Sequence, residues 1–106
     1  MIAALFSSAT LAEQCHFWEV LAHNLTISVR AVWLDDGLSD ADKVAQMNAI
    51  NEFQHHVTAK IWQHRIKPDD WPAASFDAVI AGSSVRNHLE SAVRSTARSV
   101  FDAGAT

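Results

Sequence analysis

From Leu11 to Val32 the apolar residues Leu11, Cys15, Trp18, Ala22, Leu25, Val29 and Val32 recur in steps of three and four. Residues so spaced stack on one side of a helix, so the pattern predicts a long helix with a single apolar seam. Thr10-Leu11-Ala12-Glu13 opens it as a capping box. The threonine oxygen takes an unpaired helix N–H, and the glutamate reaches back to the threonine N–H. Asp35-Asp36-Gly37 closes it, with the glycine expected to supply a left-handed stop. A second helix starts at Ser39, a good N-cap. Asp40 and Asp42 sit in its first turn, where the helix dipole favours anions. Its stripe is Met47, Ile50, Val57 and Ile61, with Phe53 at the edge, and it runs unbroken to Lys67-Pro68.

The stretch Lys67-Pro68-Asp69-Asp70-Trp71-Pro72 reads as a rigid loop, because each proline fixes its own φ and restricts the residue before it. Ser75 is placed to cap a short helix from Phe76 to Ala81. Gly82-Ser83-Ser84 breaks it, and a serine starts a final helix with Val85, Leu89, Ala92, Val93, Thr96 and Val100 on its inner face. Strand alternation is missing throughout. The expected fold is all-α, a small up-and-down helical bundle of three substantial helices plus one short helix. Residues 1–106 form one domain: an apolar N-terminal arm over 1–9, a long helical hairpin over 10–66, and the short and final helices over 75–103. The apolar start, Met1 to Phe6, lacks the basic flank and length of a signal peptide, so it is read as an arm packing on this chain or a neighbouring one. No apolar run approaches the ~20 residues that cross a bilayer, so no membrane association is expected.

At about 100° per residue, Val20, Ile27 and Ala31 fall nearly opposite the main seam of the first helix. Either that helix is central or a second chain covers its far side. The expected partner is a second copy, in a homodimer, with Val20, Ile27, Ala31 and Trp33 as interface candidates. The four tryptophans, with no tyrosine, read first as core and semi-exposed packing and second as partner contacts, since tryptophan is also enriched at interfaces.

Composition narrows the class further. With 106 residues, 49% apolar and 19% charged, the chain is a folded globular one. Its formal charge of -4 argues against a nucleic-acid partner, which calls for a basic face. The aspartates cluster at turns and helix starts, where local structure accounts for them. Cys15 is the single cysteine, which excludes an intramolecular disulfide and suits a reducing, cytoplasmic setting. Its place in the seam predicts a buried, inert thiol.

Chemistry has few candidates. Glu13-x-x-His16 and Glu52-x-x-His55 each put a carboxylate and an imidazole on one helix face, the unit from which di-metal bundles are built. Folded about residues 36 and 37, the hairpin sets Glu13 opposite about residue 60 and His16 opposite about 57, but Glu52 opposite about 21 and His55 opposite about 18. The motifs are then offset along the bundle and turned away from the seam. His16, His56 and Glu52 lie nearer one level. No metal site or cofactor is expected. On the wheel His56 joins Glu52 and Lys60 outside, while His55 joins Asn51, Thr58 and Trp62 at the edge of the stripe. His55 therefore reads as the inward imidazole, either a hydrogen-bonded packing residue or the floor of a polar notch. Arg30 stands near the level of Lys43, with Asp40 and Asp42 in reach, as a hairpin salt bridge or an anion-binding group. No glycine-rich phosphate loop and no nucleophilic set is present.

Three pieces, Leu25-Thr26-Ile27-x-x-Arg30, Leu38-Ser39-Asp40-x-x-Lys43 and Asn51-Glu52-x-x-His55-x-Val57-Thr58, resemble a group of small bacterial helical proteins of no established function. The likeness covers the hairpin, about a third of the chain. It implies no activity, only that Arg30, Asn51, Glu52 and His55 belong to one recurring pattern. Two functions are carried forward. The first is a non-enzymatic cytoplasmic binding or regulatory protein acting through helix-face contacts with a protein partner. The alternative is a small-ligand or metal-binding helical protein, an enzyme included, that uses Arg30, Asn51, Glu52 and His55.

Overall fold

The computed structural model describes residues 2–69 and 73–101, the side chains of 73–75 excepted. These form five helices and, among the described residues, no strand: α1 (Ile2–Ser8), α2 (Leu11–Trp33), α3 (Asp40–Ile66), α4 (Ala73–Gly82) and α5 (Arg86–Phe101). The chain is all-α. No helix among the described residues is long and apolar enough to cross a membrane.

The helix starts follow local chemistry. Thr10 accepts from the Glu13 N–H at 3.1 Å while Glu13 accepts from the Thr10 N–H at 3.0 Å, so the capping box is complete. Ser39 Oγ accepts from the Asp42 N–H at 3.2 Å and opens α3. Ser83 Oγ takes the Val85 N–H just ahead of α5. The stops differ from expectation in one place. Gly37 has no positive φ. The turn after α2 is instead made by Asp35, whose carboxylate accepts the Gly37 N–H at 2.9 Å and does the work a left-handed glycine would have done. Lys67 ends α3 in an extended conformation (φ -136, ψ 91), as the residue before Pro68 must. Helix α4 begins at Ala73, two residues ahead of the cap expected at Ser75. The loop reading at Asp70-Trp71-Pro72 lies outside the described residues.

The largest departure is at the N-terminus. The residues read as an apolar arm form α1, and α1 packs on its own chain, against α5. A seven-residue helix is marginal alone. Its stability comes from Phe6, which is fully buried and meets Phe17, Trp18 and His64 edge-to-face with ring centroids 5.4–5.6 Å apart. The aromatic cluster continues through Phe76, which contacts both Trp18 and Phe53, and through Phe101, stacked on Phe17 at 5.3 Å.

Helices α2 and α3 form the hairpin. Helix α5 lies antiparallel to α2, since Asn24 hydrogen-bonds Thr96 while Phe17 stacks on Phe101. With α4 and α1 it covers one side of the hairpin. This moves the core of α2 off the expected seam. Phe17, Trp18, Leu21, Leu25 and Val32 are buried, whereas Leu11 is exposed and Cys15 only half-buried. The seam was drawn for one neighbour, but α2 has two, so the buried arc widens to include Phe17 and Leu21. On α3 the same widening puts Phe53 fully inside instead of at the edge.

Candidate functional site

The side of the hairpin turned away from α5 is open. At about 100° per residue, Val44, Asn51, His55, Thr58 and Trp62 share one stripe of α3. His16, Val20, His23, Ile27, Arg30 and Ala31 share the matching side of α2. All are exposed except Val20, which is half-buried. Ile27 is 52% exposed, Trp33 60%, Trp62 66% and Ile66, at the end of α3, 85%. Large apolar side chains therefore lie along the length of this face.

The seam between the two helices is polar and well paired. Gln54 Nε2 donates to Ala22 O at 2.8 Å and to Thr26 Oγ1 at 2.7 Å. The Lys43 ammonium sits over the Trp33 ring, 5.8 Å from its centroid. Arg65 pairs with Glu19, and its guanidinium lies over the Trp62 ring at 5.5 Å. These contacts also fix the register. With Gln14 meeting His64, Gln54 meeting Ala22 and Lys43 meeting Trp33, Ile27 lies level with Asn51. The hairpin is thus shifted by about one turn from a symmetrical fold about residues 36 and 37. The connection 34–39 carries the chain past the end of α2 before α3 begins.

The sequence-predicted residues do not converge on one pocket. Asn51 and His55, with Gln54 and Thr58, line a shallow hollow of about 350 Å³ on the open face. Glu52 lies about 60° round α3 from His55, on the flank beside α4 and α5. There it lines a recess of about 320 Å³ with His56, Phe53, Val79, Ser83 and Leu89. Arg30 is exposed and makes no ion pair with Asp40 or Asp42, whose first-turn positions the register shift carries beyond it. His55 is exposed, not inward; the inward polar residue is its neighbour Gln54, one step round the wheel. Of the interface candidates, Ile27 and Ala31 are uncovered by any helix of their own chain, Val20 is half-covered, and Trp33 stands beside Lys43 at the turn end. His16 stays at the surface, 3.9 Å from Glu19. Among the described residues no three His, Cys, Asp or Glu side chains gather as a metal-holding set.

One polar residue escaped the sequence reading altogether. His64 is 2% exposed, at the end of α3. Gln14 Nε2 donates to Phe6 O at 2.7 Å and also reaches Ala9 O at 3.3 Å, which turns its Oε1 toward His64. His64 Nε2–H donates to that oxygen at 2.9 Å, and Nδ1 accepts the Asp69 N–H at 3.4 Å. The imidazole is thus held neutral, with both nitrogens occupied, and it ties α1, α2, α3 and the following loop together. Burial, reinforced by the Lys60 ammonium and opposed by Asp69, holds its pKa below the ordinary histidine value. A recess of about 480 Å³ opens beside it, lined by Lys60, Gln63, Ile66, Lys67, Pro68 and Asp69. The signal was available: His64 follows Ile50 and Val57 at steps of seven, in the middle of the buried stripe.

Comparisons with protein-family models, with curated proteins and with solved structures find no match.

Proposed function

We propose that this chain is a non-enzymatic cytoplasmic protein that works by binding another protein through the open face of the α2–α3 hairpin. The observation that carries this reading is the row of exposed apolar side chains, Ile27, Val44 and Trp62, along a face that no helix of the same chain covers, with Trp33 exposed beside Lys43 at its turn end. Solvent-facing isoleucine and tryptophan at this density lower the free energy of association when a partner removes them from water. Asn51, His55 and Thr58 among them supply hydrogen-bonding groups for register and specificity, as polar groups do within apolar interfaces. The ligand-binding alternative has less support, because Glu52 and Arg30 stand apart from the Asn51–His55 hollow.

The test uses the protein as bait in a lysate of the cell that makes it. Wild type is compared with an Ile27→Glu/Val44→Glu double variant of matching circular dichroism. Both positions are more than half exposed, so the fold should survive. A protein captured stoichiometrically by wild type and lost from the double variant is the expected result. Equal capture by both would contradict it.

A further inference from the structure

We infer that the open hairpin face pairs with a second copy of itself, face to face and antiparallel, about a two-fold axis at the level of Ile27 and Asn51. This rests on the reading of that face as the binding face, and it names the partner.

Three features point to a second copy. The first is spacing. Val20 and Ile27 on α2 and Leu34 at its C-cap follow one another at steps of seven, and Val44, Asn51 and Thr58 do the same along α3. Steps of seven keep residues on one seam of paired helices. The middle members, Ile27 and Asn51, lie at one level of the hairpin. A two-fold axis there, in the plane of the interface, stacks α2 on its copy and α3 on its copy, each antiparallel. Ile27 then meets Ile27 of the second copy, and Val20 meets Leu34. Asn51 meets Asn51 at the centre. An amide can both donate and accept, so it pairs with itself, and a single polar residue in an apolar seam fixes register.

The second is charge. The turn end of the face carries Asp35, Asp36 and Asp40, all exposed, while the far end carries the Arg65–Glu19 pair, in which Arg65 is the cation facing the Asp40 side and Glu19 comes level with Asp35 of the second copy. Antiparallel stacking about the Asn51 level brings Asp40 of one copy near Arg65 of the other. Arg65 engages Glu19 through Nη2 and has further donors in its fork. Parallel stacking would oppose the aspartates to one another.

The third is size. Two helices of about 35 Å, packed ~10 Å apart, present a face of roughly 700 Å², close to the ~800 Å² per partner of a standard interface.

The experiment is sedimentation of the full, untagged chain over a range of concentrations, with Asn51→Asp, Asp40→Arg, Arg65→Glu, the Asp40→Arg/Arg65→Glu pair and Ile27→Glu alongside. Circular dichroism checks that each variant keeps its helix content. Wild type should be a dimer. Asn51→Asp, which sets two carboxylates on the axis, should weaken it at least tenfold. Each charge reversal should weaken it by roughly tenfold, because the two-fold repeats the pair. Combining them should recover part of that loss, a coupling that a structural effect on one helix would not produce. A monomer at every concentration would overturn self-pairing while leaving the binding face to be judged by the capture experiment. A dimer broken by Ile27→Glu but indifferent to Asn51→Asp and to the charge variants would overturn the antiparallel register alone. A dimer indifferent to every variant would overturn both the register and this face as the site of contact.

Discussion

His64 shows how much one side chain can hold. Its two nitrogens join Gln14 on α2 to the Asp69 amide after α3, and its ring packs edge-to-face on Phe6 of α1. Replacing it with alanine would strip Gln14 of its donor and open a void beside the aromatic cluster. The expected cost is roughly 2–4 kcal/mol. Its pH behaviour follows from burial. The folded-state pKa lies below the ordinary value of 6.5, so the unfolded chain takes up the proton first as pH falls. The stabilisation is therefore complete above about pH 6.5 and is lost as pH drops toward the folded-state pKa. Thermal melts followed by circular dichroism from about pH 8 to about pH 5 should show the midpoint falling in acid, with a flatter profile in His64→Gln. Equal slopes in the two proteins would contradict the assignment. His55, which the wheel had placed inward, is exposed and carries no comparable structural role.

At the scale of elements, the helices stand where short-range chemistry puts them. Thr10→Ala removes one half of the capping box and should cost about 1 kcal/mol, read from chemical denaturation. An unchanged midpoint would show that tertiary packing alone sets the start of α2. The capping box, the Ser39 cap and the Lys67-Pro68 stop were legible because each is a contact within four residues. What the sequence hid is long-range. Helix α1 is helical because Phe6 finds Phe17, Trp18 and His64, none of which its own seven residues announce. Phe17 and Leu21 are buried because α5 lies against α2, and a seam drawn for one neighbour leaves them out. The register of the hairpin was missed for the same reason: it is set by Gln54 reaching Ala22 and Thr26 across the seam, not by the midpoint of the loop. The candidate site divided in the same way. Periodicity put Ile27 and Ala31 on a second face and the structure leaves them uncovered. Glu52 and His55, three residues apart, stand about 60° apart on the wheel, and the edge of the open face falls between them, so one lines each recess of α3.

On the scale of the whole molecule, one side of the hairpin is sealed by α5, α4 and α1, and the other is an open, partly apolar face with a polar centre. That division is the basis for reading the chain as a binding protein, and the symmetry of the open face about Ile27 and Asn51 is the basis for naming a second copy as its partner. The most direct test is a native mass spectrum of the untagged protein purified from its own host, with Ile27→Glu beside it. A mass of two chains for wild type, falling to one chain in Ile27→Glu, is the predicted result. A single wild-type chain carrying the added mass of a metal or small ligand would contradict it, and would turn attention to the hollow between Asn51 and His55.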